Sequence, residues 1–103
     1  MRKTQTIDVE VKAYDVTVFQ TPKYGQKRGY RSVYRNEVEG DDHYDVMYKV
    51  FRMLNVKELL PEGYNTRYMA TGDIVFIDEG MNGHYYYQLK PGGFFPIHRM
   101  YIR

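Results

Sequence analysis

Gly72-Asp73-Ile74-Val75-Phe76-Ile77-Asp78-Glu79-Gly80 is the stretch on which the fold turns. Its apolar run carries both parities and is rich in β-branched side chains, bounded on each side by glycine and acid. That pattern predicts a central strand, covered on both faces or closely flanked. Downstream, Asn82-Gly83 signals a turn, and His84 to Leu89 reads as the returning strand, with Tyr85, Tyr87 and Leu89 opposing His84, Tyr86 and Gln88. Pro91-Gly92-Gly93 turns the chain again, and Phe94 to Ile102 forms the third strand of the meander. Pro96 marks that strand as an edge or a bulge, because proline cannot donate to a ladder.

Upstream of this meander, Tyr44, Met47, Tyr48, Phe51 and Leu54 recur at helical spacing and predict one amphipathic helix. Asp41 or Asp42 caps it, and Asn55 is its expected stop. These acids and Asp45 sit where the helix dipole favours negative charge, each such effect worth about 0.3–1 kcal/mol. A shorter helical turn is expected from Val56 to Leu60, before Pro61 and Gly63. At the front of the chain Ile7, Val9, Val11 and Ala13 alternate with polar residues, and the apolar parity then shifts to Tyr14, Val16 and Val18. A bulge near Ala13 and Tyr14 keeps one strand facing the core; two short strands are the alternative. Thr21 to Tyr30 reads as loop, and Arg31 to Glu37 as a short edge strand through Val33 and Tyr34. The expected class is α+β: an antiparallel sheet of about four to five strands with one main helix on one face, in a single domain spanning residues 1–103.

Composition bounds the function classes. The chain of 103 residues has no cysteine, which excludes disulfides, thiolate metal sites and cysteine nucleophiles. No run approaches the ~18 apolar residues of a membrane span, and the N-terminal residues resemble no signal core, so a cytoplasmic protein is expected. Ser32 is the only serine and lacks a nucleophile-elbow context. His43, His84 and His98 are far apart in sequence; an enzyme needs His84 and His98 to converge with Asp78 or Glu79, and solvent-facing polar strand positions are the expected account of them. No cofactor is expected.

The net charge of +2 hides an uneven distribution. Lys23, Lys27, Arg28, Arg31 and Arg35 fall in a stretch without acids, followed by an acidic belt from Glu37 to Asp45. Tyr24, Tyr30 and Tyr34 interleave with these cations. Lys23, Tyr24, Lys27, Arg28, Tyr30, Arg31, Tyr34 and Arg35 are therefore the candidate partner-binding residues. Against a protein, Tyr and Arg are frequent hot-spot side chains and an acidic surface is their complement. Against nucleic acid, with Lys90, Arg99 and Arg103 added, the same cations neutralise phosphates while tyrosines stack on bases. A solvated loop paired with the acidic belt also fits this composition. In the cluster Tyr85-Tyr86-Tyr87, inward packing of Tyr85 and Tyr87 beside Phe76 displays Tyr86 outward, for recognition or for cross-strand pairing.

Three segments carry a family likeness: Asp15 to Arg31, with Phe19-Gln20-Thr21-Pro22-Lys23-Tyr24-Gly25; Tyr48 to Val56; and Ala70 to Gly80. Together they resemble the small bacterial YodL proteins. The resemblance implies a non-enzymatic cytoplasmic protein of spore-forming bacteria that perturbs cell shape by acting on actin-like, MreB-type filaments. It carries over no functional residue.

Overall fold

A computed structural model describes residues 12–99. Its elements are β1 (Lys12–Gln20), β2 (Arg31–Gly40), α1 (His43–Met53), β3 (Ile74–Asp78), β4 (His84–Lys90) and β5 (Gly93–Pro96), with 3-10 turns at Lys57–Leu59 and Gly80–Asn82. The strands form one sheet in the order β2-β1-β3-β4-β5, and every neighbouring pair is antiparallel. The α+β expectation stands, with five strands and α1 packed on one face. β3 takes the middle of the sheet because it is apolar on both parities: Ile74, Val75 and Ile77 expose no surface.

The main core lies between the sheet and α1. Tyr14, Val16 and Val18 of β1, Val75 and Ile77 of β3, Tyr87 and Leu89 of β4, and Phe94 of β5 meet Val46, Met47, Val50 and Leu54. This corrects the helical stripe read from the sequence. Val46 and Val50 are fully buried, whereas Tyr44 and Tyr48 remain 43% and 56% exposed. The two tyrosines flank the core, their rings edge-on to Tyr87 and Phe94 at 5.6 and 6.0 Å. A phenol serves at such a boundary because its ring packs while its hydroxyl stays wet. The compact valines suit the tight approach to β2: a Cβ on Gly40 would meet Val46 Cγ2 at 2.7 Å.

Asp42 caps α1 by accepting the Asp45 amide at 2.8 Å. Asp45 accepts the Asp41 amide at 2.9 Å and pairs with Lys49 at 3.3 Å. Much of the acidic belt is thus helix-terminal chemistry.

The expected bulge lies elsewhere. β1 pairs with β2 without interruption from Lys12 to Val18; the shift falls between Val18 and Phe19, where Tyr34 and Ser32 are the successive partners and Val33 is extra. An extra residue is cheapest on an edge strand, and among the described residues β2 is at the edge of the sheet. Ile7, Val9 and Val11 lie outside the described residues. β2 is also longer than the predicted Arg31–Glu37, since β1 offers it a template as far as Gly40.

On the second face of the sheet Thr17, Phe76 and Tyr86 stand in register. Phe76 and Tyr86 stack at 4.6 Å, so Phe76 belongs with Tyr86 and not with Tyr85 and Tyr87 as predicted. Strict alternation decides this, because directly opposed residues share a face. The last strand is shorter than Phe94 to Ile102: its ladder ends at Pro96, although the Ile97 amide still donates to the Tyr86 carbonyl at 2.9 Å. Residues beyond 99 lie outside the described residues.

Candidate functional site

The loop joining β1 to β2 rests on a buried polar base that no local sequence signal marks. Asp73, just before β3, is 1% exposed and Gln20, ending β1, is 2% exposed. Asp73 Oδ1 accepts from Arg67 Nη2 at 2.8 Å, and its Oδ2 accepts from Arg67 Nη1 at 3.1 Å, Gln20 Nε2 at 2.9 Å and the Ala70 amide at 2.9 Å. Arg67 Nη2 also donates to the Thr21 carbonyl at 3.3 Å. One guanidinium therefore ties the end of β1, the start of the loop and the entry to β3 together. The bidentate geometry and the burial of the acid place this pair among the stronger charge-assisted contacts.

Above that base the loop is ordered by its own bonds. Thr21 Oγ1 donates to the Lys23 carbonyl at 2.8 Å, the Lys23 amide donates to Gln26 Oε1 at 2.9 Å, and the Gln26 amide donates to the Lys23 carbonyl at 3.2 Å. Gly25 and Gly29 hold φ of 89° and 87°, a region that side-chain-bearing residues rarely adopt. Tyr30 closes the loop: its hydroxyl donates to the Gly72 carbonyl at 2.7 Å and accepts from Gln88 Nε2 at 3.5 Å. Burial raises the Tyr30 pKa.

The eight candidate residues separate into two groups. Lys23, Tyr24, Lys27, Arg28 and Arg31 are exposed, Tyr24 at 65%. None of these cations forms an ion pair among the described residues. Arg31 lines a cleft of about 300 Å³ with Gln20, Thr21, Pro22, Thr66 and Arg67. Tyr30, Tyr34 and Arg35 are engaged within the chain. Tyr34 packs towards the helix, with its hydroxyl 4.0 Å from Met53 Sδ. Arg35 projects from the opposite face and grips Asp15 with two bonds of 3.1 and 2.8 Å. A strand sends neighbouring side chains to opposite faces, so a patch contiguous in sequence is divided by β2.

The histidines match the expected grouping in part: Asp78 meets His84, whereas Glu79 turns to His43. Glu79 meets His43, not His84: His43 Nε2 contacts Glu79 Oε2, and His43 Nδ1 lies 2.7 Å from the Tyr87 hydroxyl. Rings of Tyr14, Tyr85 and Tyr87 stand edge-on around His43 at 5.3, 4.7 and 5.7 Å. His84 pairs with Asp78 at 3.3 Å, and His84 and His98 line one open groove of about 360 Å³. Among the described residues no three His, Asp or Glu side chains are grouped to hold a metal. Nothing in the spacing of positions 43, 79 and 87 signals their meeting, which depends on the sheet order.

Burial raises the pKa of Tyr87, with the neighbouring phenols and Glu79 adding to the effect. Burial also raises Tyr34. A raised folded-state pKa means stability that is complete below the ordinary tyrosine pKa of about 10 and lost as pH rises through the folded value. Asp15 is held low chiefly by its hydrogen bond with Arg35, so its contribution is present above the ordinary carboxylate range and lost as pH falls through the depressed value. Denaturant midpoints measured from pH 2 to pH 12 are expected to be level near neutrality, falling below about pH 4 and above about pH 10.

The described fold defines a class: a small α+β protein with an ordered basic, aromatic loop on a rigid polar base. Compared with known proteins, the chain is 50% identical over 91 residues to "Uncharacterized protein YodL" of Bacillus subtilis (strain 168), covering 88% of each chain. The chain belongs to the YodL family. No protein-family model matches it. No solved structure matches it. No helix among the described residues is long and apolar enough to cross a membrane.

Proposed function

We propose that this chain is a non-enzymatic regulatory protein that docks on a protein partner through the loop from Lys23 to Arg31. The single observation that carries the reading is the loop itself. Lys23, Lys27, Arg28 and an exposed Tyr24 stand on a backbone ordered by internal bonds, fixed from below by Arg67 and Asp73. A backbone already held in place needs little further ordering on binding, and the cations and aromatic ring it carries complement an acidic surface. The Arg31 cleft beside the loop offers a recess for one side chain of that partner. The resemblance to YodL proteins supports, as the partner proposed here, an actin-like, MreB-type cell-shape filament protein in the cytoplasm of a spore-forming bacterium.

Cosedimentation of the purified chain with MreB-type filaments tests this. The wild type is expected to pellet with filaments, and Arg28→Ala combined with Arg31→Ala to weaken binding roughly tenfold or more. Equal pelleting of both, or none by the wild type, sinks the proposal. Gel shift with mixed oligonucleotides at ~50 mM salt separates it from nucleic-acid binding, which shows there first.

A further inference from the structure

We infer that the outer edge of β2 pairs with the β2 edge of a second copy, making a two-fold dimer through one continuous sheet. β2 is ten residues long and lies at the end of the strand order, so among the described residues no strand takes its outer amides and carbonyls; the Glu37 amide donates to its neighbour Asn36 Oδ1 at 2.9 Å and the Glu39 carbonyl accepts from Lys49 Nζ at 3.0 Å, bonds that a pairing strand exchanges. Its sequence is self-complementary in one antiparallel register. With Asn36 opposite Asn36 of the second copy, Arg35 faces Glu37 twice over on one face of the sheet, and Tyr34 faces Val38 twice over on the other. Opposite charges and aromatic against β-branched residues are the favourable cross-strand pairs. The neighbouring registers that keep the faces matched put Arg35 on Arg35 or Glu37 on Glu37 at the axis; the second also sets Arg35 opposite Glu39 twice, but only the Asn36 register has no like-charge pair.

Two features of the single chain point the same way. Glu37 lies directly across from Asp15, which lies directly across from Asp78, so three acids stand in a row over β2, β1 and β3. Arg35 answers Asp15 and His84 answers Asp78, while Glu37 has no ion-pair partner among the described residues. Arg35 of the second copy supplies that cation. On the helix side, a groove of about 660 Å³ lined by Tyr34, Asn36, Val38, Lys49, Val50 and Met53 runs along the same strand. Tyr34 and Val38 of the second copy close its outer side. The pairing sets the two Arg31 positions about ten residues apart along the strands, ~33 Å, so two copies of the loop are displayed together. The dimer does not depend on what that loop binds.

The absence of cysteine from the chain makes the register directly testable. Across the axis, opposed residues have Cα atoms ~4.5–5.5 Å apart, within the span of a disulfide. Asn36→Cys is expected to cross-link to itself under mild oxidation, whereas Ser32→Cys, opposite Gly40, is not. Analytical ultracentrifugation of the unmodified chain is expected to give twice the 12.4 kDa chain mass at micromolar concentration. Glu37→Arg sets cation against cation across the axis yet faces Asp15 within its own chain, so it is expected to weaken dimerisation at least tenfold while leaving the far-ultraviolet circular dichroism spectrum unchanged. A single-chain mass at ~100 μM, or cross-linking of the Asn36→Cys variant no faster than of the Ser32→Cys variant, overturns the inference. So does a Glu37→Arg variant that dimerises as the wild type does.

Discussion

Asp73→Ala is expected to destabilise the fold by about 3–5 kcal/mol, the cost of removing one partner from a buried ion pair. The carboxylate is 1% exposed and accepts from Arg67, Gln20 and the Ala70 amide; without it the guanidinium, the carboxamide and that amide lose their common acceptor. For a domain of this size each kcal/mol moves the melting temperature by about 4–8 °C, so a fall of at least ~12 °C is expected in calorimetry. The network is not fully satisfied even in the wild type. Gln20 Oε1 and Arg67 Nε are buried without a partner, so its net worth is smaller than its number of bonds suggests. This leads to a second reading from the same experiment: adding Arg67→Met to Asp73→Ala is expected to recover part of the loss, because the uncompensated charge is gone. Arg35→Ala is the contrast. That arginine is 68% exposed, so solvent screens its pair with Asp15 and its loss is expected to change stability little. If Asp73→Ala costs no more than Arg35→Ala, the polar base does not hold the loop.

What could be read from the sequence follows from what is local. The β3 strand, the turn after it and the existence of α1 rest on short-range patterns, and the structure contains all three. The exposure of Lys23, Lys27 and Arg28 was legible for the same reason, since Pro22, Gly25 and Gly29 keep that segment out of the ladder. Gln20, Arg67 and Asp73 were not. They are separated by 47 and 6 positions, and nothing in the identity of a glutamine at a strand end says that it will be buried. The His43, Glu79 and Tyr87 cluster was hidden in the same way, because it requires knowing that β1 inserts between β2 and β3. Tyr34 and Arg35 show a third limit. A run of basic and aromatic residues looks like one surface on paper, but alternation along a strand commits its members to opposite faces.

The helix shows where periodicity alone misjudges burial, and Leu54→Ala measures it. Leu54 has no exposed surface at the C-terminal cap of α1, and its truncation is expected to cost about 2–5 kcal/mol through lost apolar contact and the cavity left behind. Tyr48 shares the sequence stripe with Leu54, so a stripe-based expectation makes the two comparable. The structure leaves Tyr48 56% exposed with one edge-on ring contact to Phe94, and Tyr48→Ala is expected to cost under about 1 kcal/mol. Val50 lies outside the stripe yet is fully buried, and Val50→Ala is expected to fall between them at about 1.5–3 kcal/mol. Urea unfolding of the three variants at one pH gives the order Leu54, Val50, Tyr48. An order with Tyr48 above Val50 would mean that α1 is rotated about its axis and that its valine face is not the one packed on the sheet.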